Sequence, residues 1–70
     1  MTANENRILI SEKIRDYRRE NSLSQSDFGK LLGVSAQVVC KWENGICYPD
    51  ITFLPHLARI IGCPIDEFFE

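Results

Sequence analysis

Between residues 25 and 44 the chain reads QSDFGKLLGVSAQVVCKWEN, and Ala36, Gln37, Cys40, Lys41 and Asn44 recur in it at helical spacing. On a helix that spacing gathers side chains onto one surface. Two carboxamides, an ammonium, a thiol and a methyl group would then stand together with no acid among them. A narrow, acid-free polar face suits the major groove of duplex DNA, where base edges offer donors, acceptors and methyl groups.

The other chemistry the residue types could support is weaker. Cys40, Cys47 and Cys63 are an odd number without a CxxC pair, which reads as reduced thiols rather than a disulfide framework. His56 would complete four potential zinc ligands, but they are spaced seven, nine and seven apart. Structural zinc sites present ligands in close pairs, so neither a metal nor any other cofactor is expected. Nothing sets Cys63 and His56 beside each other in a cleft, and no enzyme is expected. A thiol-based redox sensor would rest on Cys40 and Cys47 alone.

The elements that must hold the polar face follow from patterning. Seventy residues, 44% hydrophobic and 26% charged, describe one small core with little room for a deep cleft. No apolar run approaches a membrane span, and MTANENRILIS lacks the pattern of a secretory leader, so a cytoplasmic location is expected. The net charge is −2, but it is unevenly spread. Residues 1–41 carry seven basic and five acidic side chains, whereas residues 42–70 carry one and five. Phosphate binding depends on the local field rather than the total.

Five helical segments are predicted, with no strand-like alternation. Residues 1–7 are expected to be a flexible N-terminus ahead of one domain over 8–70. Ile10, Ile14 and Tyr17 give an amphipathic helix from Ile8 to about Asn21. Ser24 with Asp27 approximates a capping box for a second helix, which ends at Leu32 and buries Phe28 and Leu31 or Leu32. Gly29 supplies the small residue needed where two short helices cross, and Gly33 the left-handed turn four positions later. Ser35 caps a third helix from Ala36 to Glu43 or Asn44, with Val39 and Trp42 inward. Pro55 places the start of the fourth at Thr52–Leu54, with Leu57, Ala58 and Ile61 buried, and Pro64 opens a last short helix, Ile65 to Phe69. Ile46, Phe68 and Phe69 remain as apolar residues without an obvious core role.

LSQSDFGKLLGVSAQVVCKWENG, followed by YPDITFLPHLARIIGCPIDEFF, resembles the lambda-repressor/Cro-type helix-turn-helix DNA-binding domain of the xenobiotic-response-element class. The resemblance covers about residues 8–69, departing at Gly29, where alanine is commoner. It implies a compact, all-α, five-helix domain with the helix-turn-helix at about 25–44, binding a double-stranded operator, usually as a two-fold dimer. Carried over residue by residue, it assigns base contacts to Ala36, Gln37 and Lys41, with Cys40 on the same side or slightly aside. The chemistry agrees: Gln37 can pair with adenine, Lys41 can donate to guanine, and Ala36 can pack on a thymine methyl. Ser24, Gln25, Ser35 and Asn44 fall at helix ends where phosphates can be held. Arg18 and Glu43 correspond to a structural ion pair between the first and third helices.

Together these readings imply a sequence-specific DNA-binding transcriptional regulator, with repression by occlusion the simplest mode. The alternative is an antitoxin-like or anti-regulator module that uses the same fold to bind protein. The acidic C-terminal half favours that alternative, and the polar, acid-free face of the third helix disfavours it. A homodimer on DNA is expected. The aromatics close to Glu70 fit either a dimer contact or the stub of a longer regulator with a C-terminal effector or dimerisation domain.

Overall fold

The computed structural model describes residues 9–69, which hold four α-helices and no β-strand. These are α1 (Ile10–Glu20), α2 (Gln25–Leu32), α3 (Ala36–Glu43) and α4 (Leu54–Ile61). Two 3₁₀ turns complete the architecture, Ile51–Phe53 leading into α4 and Ile65–Phe68 near the C-terminus. The expected segment 1–7, the helix start at Ile8 and Glu70 lie outside the described residues. The fifth helix of the expectation is therefore a single 3₁₀ turn. Its backbone closes Glu67 N–H onto the Pro64 carbonyl at 3.0 Å, leaving no length for an α-helical ladder.

The α2–α3 pair is cut to length by its punctuating residues. Ser24 Oγ accepts from the Asp27 N–H at 2.9 Å and the Asp27 carboxylate accepts from the Ser24 N–H at 3.3 Å, which makes the capping box complete. Gly33 ends α2 at φ 76°, ψ 29°, a left-handed conformation that costs glycine little. Ser35 returns to extended backbone and its Oγ accepts from the Val38 N–H at 3.2 Å, starting α3. Gly29 lies where α2 meets the turn. A Cβ there would overlap the Val34 carbonyl oxygen and crowd that of Ser35 at 3.3 Å. Gly29 is thus more than a tolerated departure. Alanine at this position requires α2 and the turn to move apart.

One core lies under these helices: Ile10 and Ile14 from α1, Phe28 and Leu32 from α2, Val39 and Trp42 from α3, Leu57 from α4, and Phe68. Tyr17 meets the edge of Phe28 at 6.0 Å between ring centroids, and Trp42 meets Phe53 at 5.8 Å. Leu32, not Leu31, is the leucine of α2 that is buried. Phe68, expected at a free surface, is fully buried, because the 3₁₀ turn folds it back beneath α1 and α4 while Phe69 remains exposed. The Leu9 N–H donates to the Phe68 carbonyl at 2.7 Å, and Lys13 pairs with Glu67 at 3.6 Å, fastening this last turn to the beginning of α1.

The turn conformation yields a stability prediction. Gly33→Val places a β-branched side chain at positive φ and should destabilise the fold by about 1–3 kcal/mol, with Gly33→Asn milder because asparagine tolerates that region. In a domain this small each kcal/mol lowers Tm by roughly 4–8 °C. Thermal melts followed by circular dichroism check it, and a wild-type Tm for the valine variant contradicts the left-handed turn.

Candidate nucleic-acid interface

Helix α3 has only eight residues, and their division between inside and outside determines what it can do. Val39, Trp42 and Glu43 are buried; Ala36, Val38 and Cys40 are half-buried; Gln37 and Lys41 are exposed, as is Asn44 just past the end. Gln37 and Lys41 form the outer row, and Ala36 and Cys40 lie beside it. The acid-free face anticipated from spacing is therefore present. The one acid of α3, Glu43, is turned away from it at 6% exposure.

Burying that carboxylate requires partners. Arg18 on α1 supplies two hydrogen bonds, Nε to Oε2 at 2.7 Å and Nη2 to Oε1 at 3.0 Å, the planar fork that suits a carboxylate. Arg18 Nη1 also donates to the Leu23 carbonyl at 3.1 Å, tying in the α1–α2 turn. Gln25 Nε2 donates to Glu43 Oε1 at 3.3 Å. Burial pushes the Glu43 carboxyl up, but the hydrogen bonds from Arg18 and Gln25 and the charges of Arg18 and Arg15 outweigh it, leaving the group below the ordinary carboxylate value. The hydrogen bond to Glu43 raises Arg18 in turn.

The residues assigned to phosphate are placed less uniformly. Ser24 and Ser35 cap α2 and α3 through their oxygen lone pairs, and each hydroxyl hydrogen remains available to an acceptor. Gln25, the first residue of α2, is half-buried, with its amide on Glu43. Asn44 differs most from the expectation. Its Nδ2 donates to the Cys40 carbonyl at 2.9 Å and lies 3.3 Å from Cys40 Sγ, so the amide nitrogen is engaged at the end of α3. A phosphate would therefore compete with Cys40 for this amide.

Two positioning contacts carried no signal in the sequence. One is the Gln25–Glu43 bond. The other is Ser11 on α1, whose hydroxyl donates to the Trp42 carbonyl at 2.5 Å near the end of α3. Neither residue type at its spacing distinguishes this role from ordinary helix capping or from a solvated side chain.

The three cysteines are free thiols, with Cys47 exposed. A groove of about 270 Å³ is lined by Lys13, Asp16, Tyr17, Glu20, Ile61 and Cys63. Burial and the nearby Glu67 push the Cys63 thiol up against the opposing charge of Lys13, which disfavours the thiolate a nucleophile needs. No helix among the described residues is long and apolar enough to cross a membrane.

The Helix-turn-helix family model matches residues 14–68. The transcriptional activator BcrR of Enterococcus faecalis is 30% identical over 61 residues, 87% of this chain and 30% of that protein. The cryptic phage CTXphi transcriptional repressor RstR of Vibrio cholerae is 34% identical over 59 residues, 84% of this chain and 53% of that protein. The chain thus spans about a third of the first relative's length and about half of the second's. The crystal structure of the P22 c2 repressor in complex with synthetic operator 9T superposes with a TM-score of 0.76 at 30% identity, covering 86% of this chain and 91% of that one.

The buried pair generates a pH prediction. A carboxyl whose folded pKa is depressed stabilises the fold fully above its unfolded value of about 4.3, and that contribution disappears as the pH falls through the depressed folded value. Glu43→Gln has no such titration, so its stability should fall less steeply than wild type below about pH 4.3. Urea midpoints of the two proteins across acid pH check this, and parallel curves contradict it.

Proposed function

The chain belongs to the helix-turn-helix family, and on that premise we propose that it is a transcriptional regulator that binds double-stranded DNA sequence-specifically, with α3 in the major groove. The observation that carries this reading is the division of α3: Gln37 and Lys41 outward in one row, and the only acid of the helix buried against Arg18. A carboxylate on the outer face would repel the duplex.

In this reading Gln37 pairs with adenine, Lys41 donates to guanine O6 and N7, and Ala36 and Cys40 line the groove beside them. Ser24, Gln25 and Ser35 approach phosphates, together with the N–H groups at the helix starts that have no partner within their own helix. Asn44 contributes to phosphate binding only if its amide leaves Cys40. Residues 8–70 act as one DNA-binding domain, no catalytic step is involved, and the place of action is the cytoplasm. Both an activator and a repressor occur among the relatives, and we favour repression because a bound domain blocks a promoter by occupancy alone.

The protein-interaction alternative differs most simply in its salt response. Binding through phosphates releases counterions, so affinity for duplex DNA should fall steeply with salt. Gln37→Ala should cost about 1–3 kcal/mol on a site selected from a random duplex library and relax choice at one position. Equal losses on selected and scrambled duplexes contradict base reading. Absence of salt-dependent binding by wild type favours a protein partner.

One short helix reads too few base pairs to single out a site in a genome, which argues for two copies on a pseudo-palindrome. With Phe68 in the core, the surface for pairing is Ile46, Tyr48 and Ile51 after α3, with Phe69; Ile46 and Ile51 are 70% and 74% exposed. So small a patch supports weak self-association in free solution and pairing on DNA. Titration of selected operators with varied spacers should show two protomers per site and a preference for half-sites about one helical turn, roughly 10 base pairs, apart. A one-to-one complex indifferent to spacing contradicts the dimer.

A further inference from the structure

Glu43 has one contact beyond what its ion pair needs. Arg18 neutralises the carboxylate with two hydrogen bonds, yet Gln25, eighteen residues away in sequence, adds a third. A carboxylate only accepts, so the NH₂ end of the Gln25 amide must be the end that faces it. One N–H is thereby fixed, and the second, about 120° away by amide geometry, remains for an acceptor outside the protein. Gln25 is the first residue of α2, where the helix start also presents backbone N–H groups, and Glu43 is the last residue of α3. A buried group on the DNA-reading helix therefore grips the phosphate-facing end of the other helix.

We propose that Glu43 is a positioning residue for DNA binding: through its hydrogen bond to Gln25 it sets the phosphate contact of α2 in register with the base contacts of α3. This rests on the DNA reading above and on Gln25 approaching a phosphate. The lever is conformational. An exposed glutamine samples several rotamers, and one held at its amide presents the remaining N–H in a single direction. The contact is sequence-neutral, so its loss weakens binding on every duplex alike.

The test is a double-mutant cycle between position 25 (Gln25→Met, which keeps length and removes the donor) and position 43. Two variants serve there. Glu43→Asp keeps the charge facing Arg18 and withdraws the oxygens from Gln25, and Glu43→Met removes both the charge and the acceptor oxygens at similar length. Affinities for a selected operator and a scrambled duplex are measured where circular dichroism shows every variant folded. Each single variant should weaken both duplexes by a similar factor of roughly three to ten, and the double variant should weaken them little further. For Glu43→Met the direction is itself diagnostic, because removing a negative charge would by its field alone tighten binding.

Multiplicative losses, or unchanged affinity in both Glu43 variants, overturn the proposal. Wild type supplies a readout independent of whether the variants fold. The Gln25 side-chain amide should be ordered on the ps–ns timescale by NMR relaxation while the exposed Gln37 amide is mobile, and equal mobility overturns the proposal. A wild-type chain that binds no duplex overturns the DNA reading and this inference together. A chain that binds but gives an additive cycle overturns this inference alone.

Discussion

The Arg18–Glu43 pair decides which face of α3 is available. An eight-residue helix has about two turns, and a carboxylate within it must face either solvent or the protein interior. Inside, it requires a cation with matching geometry, and the guanidinium of Arg18 provides that through Nε and Nη2. Such a pair adds little net stability over an apolar substitute, whereas removing either partner strands a charge. Its value here is directional. It connects α1 to the end of α3, and through the Leu23 carbonyl to the turn before α2, so three elements share one polar anchor beside the core.

The apolar core and this anchor divide the work. Val39 and Trp42 fix the rotation of α3 about its axis by burying one stripe, and Glu43 with the Ser11–Trp42 bond fixes the C-terminal end. Ser35 and the Gly33 turn fix its beginning. Phe68, returned to the core by the last 3₁₀ turn, fills space beneath α1 and α4. The exposed residues left on α3, Gln37 and Lys41, are polar and carry no acid.

Much of this was legible because local signals agreed with one another. Ser24 with Asp27, Gly33 and Ser35 are short-range devices whose partners lie within a few residues, so spacing alone reveals them. The stripe of Val39 and Trp42 is likewise local. The family pattern added the Arg18–Glu43 pair, which spacing could not. Phe68 was misread because adjacent aromatics at a chain end carry no periodicity to say which one turns inward. At Gly29 spacing shows only that a small residue is needed; the carbonyl that excludes even a methyl group belongs to the following turn and becomes visible only in three dimensions. Asn44 has the right type and place for a phosphate contact, but its amide finds nearer acceptors on Cys40, a competition between local partners that residue type cannot resolve.

The close approach at Gly29 bears on how the domain meets a ligand. Where α2 passes the Val34–Ser35 turn, main chain lies against main chain, with no side chain between them to change rotamer. A crossing cushioned by leucines can yield by repacking. This one has no such slack, and its angle can alter only if peptide groups themselves shift. The orientation of α3 relative to α2 is thus set by the backbone itself. A ligand meeting this surface would find little conformational entropy left to remove at the crossing.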